Sequence, residues 1–277
     1  MKIRVFTNPE RKDNVIKEDI ENLLVSNGFE IDEENPNIVL YLGGDGTFLR
    51  AVHYYINKLD DIKFVGINFG KLGFFYDYQR DDLEILINDL INNNFRETSH
   101  YLLEGRVISN EKSGVIYAIN EIRVESASRT LICDVLINNK PLETFHGNGL
   151  LVASALGSSA YNKSLNGSVV QPTIDCLQLT EIAAIQNNIN RSFGSSLVLD
   201  KNVEITLKGE FRKSVIGFDY QTVSDITLKE LSVYLSDKKV TILHPKNYDY
   251  IKKLKRSFIQ WWPLLFLILL QIFCQLL

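Results

Sequence analysis

The first third of the chain has the pattern of a parallel sheet with helices between its strands. Residues 1–7 alternate apolar and polar side chains, and Ile38–Leu42 is apolar throughout, which is typical of a strand covered on both faces. Lys63–Ile67 predicts a further strand, and the apolar spacing of 83–91 predicts a helix. An earlier helix is predicted by apolar residues that share one face, namely Val15, Ile16, Ile20, Leu23 and Leu24. Gly28 follows where that helix would end.

From about residue 97 the pattern changes to short strands separated by turns. Strand-like runs occupy 114–119, 134–137, 141–145, 196–199, 203–207 and 215–218. Asn138-Asn139 is typical of a hairpin turn, and Asn92 to Asn94 is the best candidate for a domain boundary.

The fold class predicted from these patterns is an α/β N-terminal domain with a parallel, Rossmann-like sheet and a mainly β C-terminal domain, with a cleft between them. We place the α/β domain at 1–95 and the β-rich domain at 96–225. Residues 226–257 would pack back on the first domain, and 258–277 form an apolar tail.

Composition narrows the possible partners and compartments. The chain has 277 residues, 45% of them hydrophobic, and a net charge of −4, so we expect a globular protein that does not bind nucleic acid. Its cysteines, Cys133, Cys176 and Cys274, are odd in number and widely spaced, which argues against a disulfide framework or a zinc site. The N-terminus lacks the long apolar core of a signal peptide, so we expect a cytoplasmic protein.

A glycine-rich turn with one carboxylate follows the apolar strand. In Gly43-Gly44-Asp45-Gly46-Thr47 the glycines allow the backbone to approach a ligand closely. We predict that Thr47 caps a helix whose N-terminus faces an anion. Because phosphate oxygens repel a carboxylate, Asp45 is a proton acceptor, a hydroxyl-orienting group or a metal ligand rather than a phosphate clamp. The alternative is a simple strand-to-helix turn that uses Gly and Asp for their dihedral tolerance.

Two further polar clusters lie in the predicted β region. Asn120-Glu121 would hydrogen-bond two hydroxyls of a ribose, unless it is simply a strand end. The run 157–164, after Gly147-Asn148-Gly149, offers hydroxyls, backbone amides and the Tyr161 ring to a nucleotide. Its alternative is an ordinary Ser/Gly loop in which Tyr161 fills a gap in the core.

In this order and spacing, the clusters resemble the NAD kinase family, in its bacterial type that uses ATP or polyphosphate. Matching stretches also include Leu72-Gly73-Phe74, 178–183 and 194–198, and the resemblance extends to about Arg256. It implies an enzyme that transfers a phosphoryl group to the 2′-hydroxyl of the adenosine ribose of NAD, which gives NADP. The implied substrates are NAD and ATP or another phosphate donor, and the implied assembly is a homo-oligomer, often a tetramer.

The resemblance also implies roles for individual residues, with Asp45 as the proton acceptor and Ala183 on the nicotinamide side. The nucleotide-binding positions that it implies are Gly44, Gly46, Thr47, Phe74, Asn120, Glu121, His146, Asn148, Ser158, Ser159, Ala160, Tyr161, Asn162, Lys163, Ser164 and Ala183. The sequence has no cluster of acidic residues that would form a protein cage for a metal ion, so we expect Mg²⁺ to arrive with the donor phosphates.

The chain departs from the family pattern at several positions. Asn148 replaces an Asp, Ala155 replaces a rigid Pro, and Leu156 replaces a small hydroxyl residue. In Phe218-Asp219-Tyr220, a Tyr follows the Asp where the family often has a small residue or His. Two alternatives to an active NAD kinase therefore stay open: a catalytically weak NAD(P)-binding protein, and a lipid or small-alcohol kinase that shares the Asp45 loop.

The C-terminal tail has no counterpart in the family. After Lys252, Lys253, Lys255 and Arg256 it is apolar almost to its last residue, and from Ile259 it has about nineteen residues, near the lower limit for a membrane span. One interpretation is a membrane anchor; the other, which we expect, is an aberrant end. Membrane flotation that disappears on truncation after Ser257 would establish the anchor.

Overall fold

The computed structural model describes residues 1–8, 14–69, 73–111, 113–126 and 128–259. The tail from residue 260 onward therefore lies outside the described residues, as does Leu72 of the predicted Leu72-Gly73-Phe74 segment. Among the helices that are described, none has the length and apolar character needed to cross a bilayer.

The N-terminal part has the predicted α/β architecture. Its elements are β1 (Lys2–Thr7), α1 (Asn14–Ser26), β2 (Glu30–Ile31), β3 (Ile38–Leu42), α2 (Asp45–Tyr54), β4 (Lys63–Asn68), β5 (Tyr78–Gln79) and α3 (Leu83–Ile91). The strands pair in parallel in the order β2-β1-β3-β4. Gly28, at φ +84°, lies just beyond the end of α1, as the sequence predicts.

Strand β3 is buried at every position because helices cover both of its faces. Val39 and Tyr41 pack with Phe48 of α2, whereas Leu40 packs with residues of α1 and α3. The continuous apolar run in the sequence is thus explained by two separate cores on either side of one strand.

The C-terminal part is mainly β, also as predicted. Its elements are β6 (Phe95–Ser109), β7 (Gly114–Ala118), β8 (Glu121–Glu125), β9 (Leu131–Ile137), β10 (Lys140–Gly147), β11 (Gly149–Ser154), α4 (Tyr161–Ser164), β12 (Cys176–Ile182), β13 (Leu197–Asp200), β14 (Ile205–Phe218), β15 (Gln221–Pro245) and α5 (Tyr250–Leu254). Asn138 and Asn139, both at positive φ, turn β9 into β10, which confirms the predicted hairpin.

The two parts share one strand. β15 pairs antiparallel with β14 and β6 and, through Thr241 and Ile242, parallel with Lys63 and Phe64 of β4. Its 25 residues run across the boundary that we predict at 225. After β15, α5 and a π-helical turn at Lys255–Ile259 return to the N-terminal part, where the Arg256 guanidinium donates to the Tyr76 carbonyl at 3.3 Å.

Candidate active site

The glycine-rich turn after β3 is shaped by a single glycine. Gly43 has a φ of +141°, and a Cβ there would lie 2.5 Å from Thr47 Oγ1. Its amide donates to the Ile67 carbonyl at 2.9 Å, which ties the turn to the end of β4. Gly43 therefore reverses the chain tightly enough for α2 to begin at Asp45, directly at the carboxyl edge of the sheet.

The prediction that Thr47 caps α2 is wrong. The N-cap is Gly44, in an extended conformation, and no side chain caps the helix. Thr47 lies within the first turn and is buried, and its side chain packs under Gly43. Because the first turn has no side-chain cap, its amides and the positive end of the helix dipole remain suited to an anion in the adjoining cavity.

The Asp45 carboxylate is held by two backbone amides from a distant part of the chain. Phe74 N donates to both carboxylate oxygens, at 2.7 and 2.9 Å, and Phe75 N donates to Oδ1 at 2.8 Å. Burial raises the pKa of Asp45, while these two amides and the charge of Lys253 partly oppose the rise. The carboxylate is thus fixed in position and made more basic than an exposed one.

Asn120 and Glu121 lie where β8 begins, and both side chains are buried, at 7% and 5% exposure. Asn120 Oδ1 and Glu121 Oε2 have no hydrogen-bond partner among the described residues. Burial, followed by the charge of Asp219, raises the pKa of Glu121 to about 8, against an opposing effect of Arg123. Buried acceptors without partners are rare in native proteins, so these two oxygens are available to a molecule that carries hydrogen-bond donors.

Asp219 holds the backbone at Asn120, a contact that the sequence pattern does not predict. Its carboxylate accepts from Ile119 N at 2.8 Å and from Asn120 N at 2.7 Å, and lies 2.7 Å from His53 Nε2. It stands at φ +50°, in the turn between β14 and β15. The signal that would have found it is a carboxylate in a tight turn, where Asp tolerates positive φ.

The segment 154–164, which we call the serine-rich loop, packs directly against the Asn120 backbone. A Cβ at Gly157 would lie 1.9 Å from the Asn120 carbonyl oxygen, so only glycine permits this contact. Ser154 Oγ donates to the Ile119 carbonyl at 2.5 Å, and Ser154 N donates to the Asn120 carbonyl at 2.9 Å. The second and third sequence clusters therefore form one structural unit.

Within that loop, the predicted residues divide into two groups. Ser158 and Asn162 are buried in its internal hydrogen bonds: Ser158 Oγ donates to the Ala155 carbonyl at 2.7 Å, and Asn162 Oδ1 accepts from Thr180 Oγ1 at 2.7 Å. Ala160 and Tyr161 are half-buried, whereas Lys163 and Ser164 are exposed. The Tyr161 hydroxyl donates to Glu125 at 3.1 Å, and Lys163 Nζ lies 4.8 Å from the Phe258 ring centre.

A cavity of about 360 Å³ opens beside Asp45 and brings the first and third clusters together. Its described lining consists of Asn8, Gly44, Asp45, Gly46, Thr47, Gly73, Phe74, Ser159, Ser257 and Phe258. The Asp45 turn, Phe74 and Ser159 thus meet as the sequence indicates. Ser257 and Phe258 come from the C-terminal segment, to which the sequence analysis gave no role in binding.

His146, Asn148 and Ala183 form a separate group. The His146 carbonyl accepts from Ile185 N at 2.7 Å, and Asn148 N donates to the Ile182 carbonyl at 3.0 Å. Ala183, at φ +47°, lies against Gly147. Over the ranges that the structure covers, none of the three lines the Asp45 cavity.

The departures from the family pattern in the serine-rich loop are packed inside the protein. Leu156 is buried and belongs to the hydrophobic cluster that includes Phe48 and Phe75, and Ala155 is buried as well. Among the described residues, neither lines the Asp45 cavity. The apolar side chain at 156 therefore adds to the core and lies outside the described lining of the Asp45 cavity.

The residues that the structure describes contain no group of three or more His, Cys, Asp or Glu side chains that would hold a metal ion. Asp45 is the one carboxylate in the described lining of the cavity. That donor set suits a hard cation such as Mg²⁺, which is usually bound by one or two carboxylates together with substrate phosphates and water.

Comparison with protein families and known proteins gives a consistent result. A model of the ATP-NAD kinase N-terminal domain matches residues 8–95, and a model of the ATP-NAD kinase C-terminal domain matches 119–244. The NAD kinase of Leuconostoc citreum is 34% identical over 94% of this chain and 98% of its own length. NAD kinase 1 of Bacillus cereus is 33% identical over 94% of this chain and 99% of its own length.

Solved structures share the fold at lower sequence identity. Yeast NADH kinase complexed with NADH superposes with a TM-score of 0.81 and 18% identity, covering 95% of this chain and 89% of that one. An NAD kinase from Archaeoglobus fulgidus in complex with ATP gives a TM-score of 0.74 and 20% identity, covering 92% of this chain and 99% of that one. At these identities, the comparison establishes the architecture.

Proposed function

This chain belongs to the NAD kinase family, and from that premise we propose that Asp45 accepts the proton of the adenosine 2′-hydroxyl of NAD while a phosphoryl group is transferred to it. As an NAD kinase it is a phosphotransferase that converts NAD to NADP. The observation that carries the residue assignment is the fixed carboxylate of Asp45 in a cavity beside an uncapped helix N-terminus.

The environment of Asp45 suits a base that acts late in the transfer. Phosphoryl transfer depends mainly on positioning and on stabilisation of charge, so the acceptor hydroxyl must be aimed at the donor phosphate. The amides of Phe74 and Phe75 fix the carboxylate, and burial raises its pKa towards the working pH. Both effects favour proton acceptance from an alcohol.

Asn120 and Glu121 are not among the described residues that line the Asp45 cavity, but they lie against the serine-rich loop, which reaches the cavity at Ser159. Their unpartnered acceptors support a ribose at that loop. A ribose presents adjacent hydroxyl donors, and each would satisfy a buried oxygen that otherwise has no partner. A lipid kinase would leave these acceptors unsatisfied, which disfavours the lipid alternative. The half-buried Tyr161 and the serine-rich loop stand beside the pair and offer a ring face and backbone amides to the adenosine.

The donor phosphates would lie near the N-terminus of α2, whose amides and dipole favour negative charge. A Mg²⁺ ion would arrive there with the donor phosphates, whose oxygens would hold it together with water. When bound, that ion neutralises charge on the transferred phosphoryl group. The repulsion between Asp45 and the phosphates would then be relieved as well.

We also propose a homo-oligomer in a reducing cytoplasm. Ile189 is 90% exposed and Phe193 50%, and both belong to the segment that follows the His146 and Ala183 group. Large apolar side chains at such exposure are typical of an interface. The wide spacing of the cysteines in the sequence supports the reducing compartment. Light scattering on the Ile189→Ser and Phe193→Ser variants would show a smaller particle.

The test is NADP formation from NAD, ATP and Mg²⁺ by the full chain and by Asp45→Asn. The Asn carbonyl can still accept from the Phe74 and Phe75 amides, so the variant removes the base while keeping the geometry. We expect turnover to fall by about 10²-fold or more, with a much smaller change in NAD affinity. Asp60→Asn, an exposed acid in the short helix before β4, is the matched control.

Near-normal turnover of Asp45→Asn would refute the assignment of Asp45 as the base. Binding of NAD by the unaltered chain without turnover would instead support the catalytically weak NAD(P)-binding protein. Phosphorylation of a lipid or of another alcohol in preference to NAD would refute the substrate assignment.

A further inference from the structure

The C-terminal segment Lys255–Ile259 forms one wall of the Asp45 cavity. It follows α5 as a single π-helical turn. Two of its residues, Ser257 and Phe258, belong to the described lining of the cavity, together with Asp45. Turns of this kind are rare and are frequently found at functional sites. The polar side chain of this wall therefore stands where a bound substrate would meet it.

Contacts on either side of Ser257 fix the segment in place. The Arg256 guanidinium donates to the Tyr76 carbonyl at 3.3 Å, and its carbon lies 5.0 Å from the centre of the Tyr76 ring. The Phe258 ring centre lies 6.0 Å from that of Phe74. Because the Phe74 amide also donates to the active carboxylate, the position of the serine is tied to that of the reacting centre.

The Ser257 hydroxyl has no partner in the part of the protein that the structure describes. Its oxygen is buried, and none of the described residues forms a hydrogen bond with it. A hydroxyl carries one donor and two acceptor sites, and burying it without a partner costs free energy. Most buried polar groups in native proteins have a partner, so an unsatisfied one requires a reason. A molecule bound in the cavity that Ser257 lines would supply that partner.

The rest of the described lining indicates which atoms of a ligand this hydroxyl would meet. Gly44, Gly46 and Thr47 bring the uncapped N-terminus of α2 into the cavity, where its amides and dipole favour negative charge. The described lining contains no Lys or Arg side chain, so the protein must offer neutral donors to an anion there. A hydroxyl donates to a charged oxygen more strongly than to a neutral one. Ser257 therefore suits a phosphate oxygen.

We propose that Ser257 is a substrate-binding residue for the phosphoryl transfer: its hydroxyl donates a hydrogen bond to a phosphate oxygen in the Asp45 cavity. The proposal rests on the function proposed above, in which phosphates occupy this cavity. The donor carries them in its triphosphate and NAD in its diphosphate bridge, so the shared chemistry is an anionic phosphate oxygen. The proposal gives the C-terminal segment a direct part in substrate recognition.

The first test compares Ser257→Ala with the unaltered full chain in NADP formation, with ATP and NAD varied in turn in the presence of Mg²⁺. Loss of one hydrogen bond to a charged group should lower kcat/KM about tenfold for the substrate whose phosphate is bound. A loss for ATP would identify the donor phosphates, and a loss for NAD would identify the diphosphate bridge. Either result supports the proposal.

Two further variants show whether the hydroxyl itself is responsible. Ser257→Thr keeps a hydroxyl at the same place and should keep most of the turnover. Ser113→Ala removes an exposed serine between β6 and β7 and should leave kcat/KM unchanged for both substrates.

Thermal unfolding separates substrate binding from a structural role. Ser257→Ala removes a buried hydroxyl that has no partner, so without ligand the variant should unfold at the same temperature as the unaltered protein or at a higher one. Binding of ATP with Mg²⁺, or of NAD, raises the unfolding temperature, and at equal ligand concentration the variant should gain less. A lower unfolding temperature without ligand, with an equal gain on binding, would contradict the proposal.

The outcomes distinguish this proposal from the function on which it rests. Full turnover of Asp45→Asn would overturn the proposed function, and the role of Ser257 with it. Loss of turnover in Asp45→Asn, together with unchanged kcat/KM of Ser257→Ala for both substrates, would overturn only the role of Ser257. A loss in Ser257→Thr as large as that in Ser257→Ala would also overturn it, because the hydroxyl would then not be responsible.

Discussion

Replacing Glu121 by Gln is expected to remove a large part of the pH dependence of folding stability. Burial and the nearby Asp219 charge raise the pKa of Glu121 from 4.5 to about 8 in the folded chain. Between these values the native state binds more protons than the unfolded state, so stability falls as the pH rises through this window. Above about pH 8, Glu121 is ionised in both states and its contribution no longer changes with pH.

The size of the effect follows from the two pKa values. With 4.5 in the unfolded chain and about 8 in the native one, the linkage relation gives a loss of about 3 kcal/mol from Glu121 between about pH 6 and pH 9. A Gln side chain has nearly the same shape, offers an oxygen to the same ligand and does not titrate. Between pH 6 and pH 9, the free energy of unfolding of the Glu121→Gln variant should therefore fall by about 3 kcal/mol less than that of the unaltered protein.

Equilibrium unfolding in urea at both pH values, at equal protein concentrations, measures this difference because urea carries no charge. Glu84→Gln, at an exposed position in the first turn of α3, serves as the control and should follow the unaltered protein. Equal pH dependence in the Glu121→Gln variant and the unaltered protein would show that Glu121 is ionised at neutral pH. The reasoning from burial and from the Asp219 charge would then be refuted.

Two further predictions concern the support of the Asn120-Glu121 pair. Gly157→Ala places a Cβ 1.9 Å from the Asn120 carbonyl oxygen, so we expect about 3 kcal/mol lower stability and a higher KM for NAD. At Gly114 a Cβ would meet open space, so the control Gly114→Ala should change neither value. Thermal unfolding and steady-state kinetics measure the two effects. Asp219→Asn keeps a residue that tolerates positive φ, but one of the two carboxylate oxygens that accept from the Ile119 and Asn120 amides becomes an NH₂ donor. We expect the free energy of unfolding, measured with urea, to fall by about 2 kcal/mol and the KM for NAD to rise. An unchanged KM in Asp219→Asn would contradict the role of Asp219 in holding Asn120.

The sequence contains enough local information to predict the framework of the site. A fully apolar strand followed by glycines predicts a buried strand and a tight turn, because both features depend on residues close together in the chain. The position of Asp45 at the sheet edge follows from that pattern, and the paired Asn138 and Asn139 determine their hairpin in the same way. The start of α2 was missed because Gly43, at φ +141°, turns the chain earlier than a threonine cap would require.

What the sequence could not predict depends on contacts between distant residues. The amides that hold Asp45 belong to Phe74 and Phe75, and the carboxylate that holds Asn120 belongs to Asp219. Neither pairing follows from spacing, because a folded sheet brings together segments with no fixed separation in sequence. The burial of Lys253 was not predicted for the same reason: in the sequence it is one of several lysines near 252–256, and only the fold places it beside Asp77.

The shared strand β15 has a consequence for how the chain is made. On the side away from β3, Lys63 and Phe64 of β4 pair with Thr241 and Ile242, which are synthesised long after β4. Until then, that edge of the N-terminal sheet is unpaired and open to other strands. The N-terminal sheet is therefore completed only after residue 242 has been made, and a nascent chain stalled before residue 241 would be a target for chaperones even though residues 1–95 are already synthesised.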